Sequence, residues 1–120
     1  MNEENIARVV HEANRAWQRE CGEEVGPDWD EAPQWMKEST LAGVRSVLDG
    51  ATPEELHEGW MEHRGSEGWT WGPFKITKLK KHPCMVPFDE LPEKDRAKDI
   101  MFHAIVNSLN GGFRGDTSER

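Results

Sequence analysis

The chain has 120 residues, with 15 basic against 23 acidic side chains and a net charge of −8. That length allows one core, and the acidic balance excludes a non-specific duplex-binding protein, which needs a basic face that neutralises many phosphates. No run approaches the roughly 18 apolar residues of a membrane span and the N-terminus is acidic and polar, so no membrane partner and no secretory leader are expected, and the protein reads as soluble and cytoplasmic.

Only 21 residues are Leu, Ile, Val or Phe, a fraction near the boundary of disorder, but six Trp and five Met supply the missing apolar bulk. Each buried Trp removes roughly 200 Å² from water, so a few can anchor a small core. Cys21 and Cys84 lie far apart without partners at metal spacing and read as reduced thiols, not as a disulfide framework or a zinc site.

In chain order, Ile6, Val9 or Val10, Ala13, Trp17 and Cys21 recur at helical spacing and predict a first helix from Asn5 to Cys21, with Gly22 as its stop. His11, Glu12, Asn14 and Arg15 are expected on its other faces; His11 and Asn14, one turn apart, could bind something jointly, with local capping or satisfaction in the core as the favoured reading. Gly26 to Glu31 read as a turn-rich connector whose Trp29 plugs the base of the core. A second helix is predicted from Pro33 to Leu48, its inward side carrying Trp35, Ser39 or Thr40, Gly43 or Val44, and Val47, with Gly50 ending it.

Thr52-Pro53-Glu54-Glu55 then places an N-cap hydroxyl, a proline at the first helical position and a glutamate three residues after the cap. A third helix therefore starts at Pro53 and turns Leu56, Trp60 and His63 or Arg64 inward, while His57 and Glu58 are expected on an exposed face. Gly65 and Gly68 break it. In the segment that follows, Glu67 to Pro73, short strands are possible, and Trp69 and Trp71, two apart, would share a face. Residues 82 to 92 hold three prolines and read as an extended strap with Met85, Val86, Phe88 and Leu91 on its buried side. A fourth helix from Pro92 to Asn110 has Ala97, Ile100, Met101, Ala104, Ile105 and Leu109 as its apolar stripe. The expectation is a mainly α fold, one small domain over residues 1–112 with about four helices and short β-strands or extended straps, followed by a disordered tail at 113–120.

Residues 64 to 82 hold five Lys or Arg against one acid, Glu67, a local +4 that leaves −12 for the rest of the chain. A basic run beside clustered indoles suggests an anion site with an aromatic floor, against the simpler alternative of core tryptophans under a solvated edge. Catalytic patterns are absent. No Gly-x-Ser-x-Gly turn, His-x-x-x-His spacing or phosphate-cradling glycine loop occurs, and His82 with Cys84 is a weak candidate pair. No enzyme activity, metal or cofactor is expected.

Taken in order, His57-Glu58-Gly59-Trp60, Glu67-Gly68-Trp69-Thr70-Trp71-Gly72-Pro73, Lys81-His82-Pro83-Cys84-Met85-Val86-Pro87-Phe88 and Glu90-Leu91 resemble the repeat domain named after the ryanodine receptor. The likeness spans about residues 53 to 100. His11 to Arg15 and Trp29 to Trp35 resemble the N-terminal half of small stand-alone bacterial and phage versions. Trp71 and Phe88 stand where that family has tyrosines, and an acid usual near Ile76-Thr77 is missing.

The resemblance implies a helical module with short strands, non-catalytic, which in stand-alone microbial forms recognises nucleotide-derived signals in antiviral conflict as a sensor or a sponge. Such a ligand presents a flat ring and anionic groups. Trp69 and Trp71, with Trp35 or Trp60, would bracket the ring, while Lys75, Lys81, His82 and Arg15 face the anion and Asn14 adds a polar contact. The alternative is a protein-interaction module whose exposed aromatics form a homodimer, a homo-oligomer or a host-protein interface, with no small ligand.

Overall fold

A computed structural model describes residues 1–111, so the expected tail lies outside the described residues. The fold is mainly α: helices α1 (Glu3–Glu20), α2 (Gln34–Leu48), α3 (Pro53–Ser66) and α4 (Glu93–Gly111), with two-residue strands β1 (Thr70–Trp71) and β2 (Lys81–His82) between α3 and α4.

Each boundary has a local cause. Asn2 accepts from the Asn5 amide at 2.8 Å and Glu3 and Glu4 sit in the first turn, where a carboxylate opposes the helix dipole; Gly22, at φ +71°, ends α1. At α3 the capping box is complete. Thr52 Oγ1 accepts from the Glu55 amide at 3.1 Å, and Glu55 Oε1 accepts from the Thr52 amide at 3.0 Å. Thr52→Ala is expected to lower stability by about 1 kcal/mol, because the Glu55 amide at the exposed helix start loses its side-chain acceptor. Thermal melts of the variant beside Thr52→Ser, which keeps the hydroxyl and should change little, check this.

α1 packs on α2 and α4, α2 on α4, and α3 on α4. The core between them is Ile6, Ala7, Val10, Trp29, Val44, Val47 and Val106, flanked by Leu41, Leu48, Leu56, Phe102, Ile105 and Leu109. Trp29 is buried as its place in the connector suggests. Gly43 marks a close approach of α2 to α4, since a Cβ there would lie 3.0 Å from the Phe102 ring.

Several faces differ from the periodicity reading. His11, expected among the polar faces of α1, is buried, and its Nε2 donates to the Pro27 carbonyl at 2.8 Å while Val9 is exposed. His57, expected on an exposed face of α3, is also buried, with Nε2 donating to the Val86 carbonyl at 2.7 Å. A histidine that finds a carbonyl can join a core, and neither partner segment is near it in sequence. On α4 the buried side is Phe102, Ile105, Val106 and Leu109; Ile100 and Ala104 face solvent. On α2 the Trp35 ring is 56% exposed, not part of the core.

β1 and β2 pair in parallel, Thr70 with Lys81 and Trp71 with His82. Parallel neighbours usually need a crossover of a dozen or more residues. Here a short loop suffices because the chain folds back on itself, Ile76 and Lys81 exchanging backbone hydrogen bonds at 3.0 and 3.1 Å. Lys80 makes the return in the left-handed region, at φ 53°. Gly72 is required where it stands, since an added Cβ would lie 2.8 Å from Lys81 Cβ. From Pro83 the strap runs to α4 with Leu91 buried and Met85, Val86 and Phe88 half-buried.

Candidate functional site

Three helices leave a trench of about 510 Å³ between them. Its first wall is the α1 stripe His11, Asn14, Arg15 and Gln18, spaced to lie on one helical face, with the loop Glu24–Pro27 beside it. Facing it are Trp35, Met36, Ser39 and Thr40 from the start of α2 and Trp60 and Arg64 from α3, with Lys75 at the margin.

The α1 wall is held by a network that ties the loop down. Glu12 accepts from Arg15 Nη1 at 2.7 Å and from the Trp29 amide at 3.0 Å, Arg15 Nε donates to the Gly26 carbonyl at 3.0 Å, and Gln18 accepts from the Gly26 amide at 3.1 Å. Burial opposes ionisation of Glu12, but the hydrogen bonds from Arg15 and the Trp29 amide outweigh it and hold the carboxyl below its usual range. Arg15 is thus partly committed to structure. Asn14 Oδ1 is buried with no hydrogen-bond partner within the described residues, as is Trp17 Nε1.

Arg64 organises the opposite wall. Its guanidinium lies 5.6 Å from the Trp35 ring centre, 6.0 Å from Trp60 and 5.6 Å from Trp69. A planar, weakly hydrated cation suits such a slot between indoles. Its ion partner is Glu67 at 3.3 Å, itself 46% exposed, while the Arg64 side chain is 19% exposed. Behind it, Trp60 stacks on His57 at 5.6 Å and meets His82 edge-on at 5.0 Å, and His82 also meets Trp69 at 6.2 Å. The Nδ1 of His57 lies 3.8 Å from Asp99, whose carboxyl is raised by burial.

Of the nine residues singled out from sequence, Asn14, Arg15, Trp35, Trp60 and Lys75 line the trench; Trp69, Trp71, Lys81 and His82 do not. Trp69 and His82 support Trp60 and Arg64 from behind. Trp71 is 54% exposed, and Lys81 Nζ donates to Thr70 Oγ1 at 2.8 Å. Trp69 and Trp71 form no common wall in the trench, because Gly68, at φ 93°, turns the chain and Trp69 precedes the two-residue strand. Arg64 was missed as a site residue, as were Gln18, Ser39 and Thr40. The signals available were the Trp60–Arg64 spacing of one turn and the polar stripe on α1.

His82 and Cys84 are close, the Cys84 amide donating to His82 Nδ1 at 3.0 Å. Desolvation, then the nearby Lys75 charge, pushes the imidazole down to about 4, and burial, then Asp95, pushes the thiol up to about 11. Both groups are neutral at pH 7, the reverse of an activated thiolate beside an imidazolium. Among the described residues no cluster of three or more His, Cys, Asp or Glu could hold a metal ion.

The depressed His82 has a consequence for stability. The unfolded chain takes up a proton below about pH 6.5, whereas the folded chain resists until about pH 4. Stability is therefore expected to fall as the pH drops between those values, with no contribution from this group above pH 6.5. Melts across that range should show the slope in the parent chain and a shallower one in His82→Gln.

The family model described as RyR domain matches residues 36–109, from Met36 on α2 to Leu109 on α4, which flanks the core.

Proposed function

This chain belongs to the RyR domain family, and from that premise we propose that it is a non-catalytic cytoplasmic binding module for a small anionic, nucleotide-derived signalling molecule. One observation carries the reading. Two indoles, Trp35 and Trp60, and three cations, Arg15, Arg64 and Lys75, line one cavity of about 510 Å³, within the range of small-molecule sites. The lining carboxylate is Glu24.

A flat base can stack on an exposed indole, with each stacked base worth about 1–3 kcal/mol, and guanidinium groups bind phosphate oxygens in pairs. Trp35 has the free ring area for the first role. Arg64 and the Nη2 of Arg15, which has no hydrogen-bond partner among the described residues, face the second from opposite walls. The likeness of the N-terminal part to stand-alone bacterial and phage forms supports a sensor or a sponge in conflict between bacteria and phages. No step of bond making or breaking is assigned to the site.

The test is a thermal shift of the full chain with mono-, di- and cyclic nucleotides and ADP-ribose derivatives, since a ligand at 100 times its Kd stabilises by roughly 2.7 kcal/mol. A selective rise of several degrees that follows ligand charge is expected. A flat panel, with no binding by calorimetry, overturns the reading.

A further inference from the structure

The loop joining the two strands has a different character from the trench. Residues 73–80 are exposed at every position. Among the described residues eight large apolar side chains are exposed, and four of them, Trp71 (54%), Phe74 (72%), Ile76 (41%) and Leu79 (63%), fall within nine positions. Lysines 75, 78, 80 and 81 interleave with them, and no acid occurs between Glu67 and Asp89. None of these four lysines forms an ion pair among the described residues.

The loop is built, not slack. The Thr70 amide donates to the Lys80 carbonyl at 2.9 Å, Ile76 and Lys81 exchange backbone bonds, and Lys80 Nζ donates to the Glu67 carbonyl at 2.6 Å. Leaving apolar side chains in water on a pinned loop, beside unneutralised lysines, is costly unless something covers them.

We propose that the 71–81 loop is a peripheral docking surface for a bilayer bearing anionic phospholipids. Trp71, Phe74 and Leu79 enter the interfacial layer while the lysine stems run along it and their ammonium groups meet headgroup phosphates and carboxylates. Charge and size select this occupant. A loop of eleven residues falls short of the roughly 20–30 per side of a stable protein interface. A two-fold dimer through the loop would set its +4 charge against itself. An anionic bilayer needs only a few anchors and rewards each lysine. The acidic remainder is screened beyond a Debye length of about 8 Å, so a loop held at the surface keeps its attraction. The expectation of no membrane partner rests on spanning length, and no described helix is long and apolar enough to cross a membrane; a peripheral contact requires neither.

The experiment is co-sedimentation of the full chain with vesicles of phosphatidylcholine alone and of phosphatidylcholine with phosphatidylserine. Binding to the anionic vesicles only, weakened by salt, is expected. Phe74→Ser with Leu79→Ser should lower the affinity about tenfold or more, and Lys78→Glu several-fold, with melting temperatures unchanged because these side chains are exposed. Lys75 is left intact because it also lines the trench. No vesicle binding, equal binding to both vesicle types, or binding that survives both variants overturns the proposal. So does a concentration-dependent rise in mass that the same variants abolish without any vesicle binding, which would assign the loop to a protein contact.

Discussion

Trp29→Ala is expected to cost about 3–5 kcal/mol of folding stability, a large part of the roughly 5–15 kcal/mol of a typical small domain. The ring is 2% exposed and joins the core that α1, α2 and α4 share. It sits edge-on to His11 at 5.6 Å, with Lys37 Nζ 5.7 Å from its centre, and its own amide donates to Glu12. Truncation leaves a cavity in the core that the helices share, next to the Glu12–Arg15–Gly26 network that receives the Trp29 amide. Trp29→Phe keeps most of the apolar volume and should lose about half as much. Urea unfolding of both variants checks the order. A Trp29→Ala chain as stable as the parent would mean that the connector is not part of the core.

The loss should also reach the trench. Gly26 and Pro27 are both held by α1 side chains and line the cavity, and the Trp29 ring fixes the loop from its other end. Residues that build the core at one end of this connector therefore shape the ligand wall at the other. That coupling explains why the first 35 residues, which lie outside the matched family segment, pack so closely onto it: α1 contributes Asn14 and Arg15 to a cavity whose far wall, with Trp60 and Arg64, lies inside the segment.

Local chemistry was legible where it is self-contained. The Thr52–Glu55 box, the glycine stops at Gly22 and Gly50, and the buried Trp29 all follow from rules that act within a few residues. The burial of His57 was not, nor was the partner of His11, because each is satisfied by a carbonyl far along the chain, Val86 and Pro27, and a helical wheel counts both as polar. The α4 stripe holds at Ala97, Met101, Ile105 and Leu109, all half-buried, and fails at Ile100 and Ala104, which face solvent. It also omits Phe102 and Val106, which are set by the close approach of Gly43 and by the α1 contact. For the candidate site, the residue types were visible as a basic and aromatic cluster, but not their grouping. Arg64 counted only as one charge in a run, since its place among three indoles needs α2, α3 and the β1 segment brought together.

Arg64→Ala is expected to weaken nucleotide binding by about tenfold to a hundredfold, the largest loss among the trench cations, with a modest change in melting temperature. Arg15 gives the contrast. Its guanidinium already spends two donors on Glu12 and Gly26, so Arg15→Ala should reduce stability and affinity together, whereas Arg64 shares a single exposed carboxylate and retains donors for a ligand. Arg64→Lys should not restore affinity, because a strongly hydrated ammonium neither fills a planar slot between indoles nor offers paired donors. Titration calorimetry with the best nucleotide from the panel, on each variant, separates these cases. If Lys at position 64 binds as well as Arg, the site reads charge alone. If Ala binds as well, the anion lies against Arg15 and Lys75, and the Arg64 cluster serves to hold Trp35 and Trp60 in place.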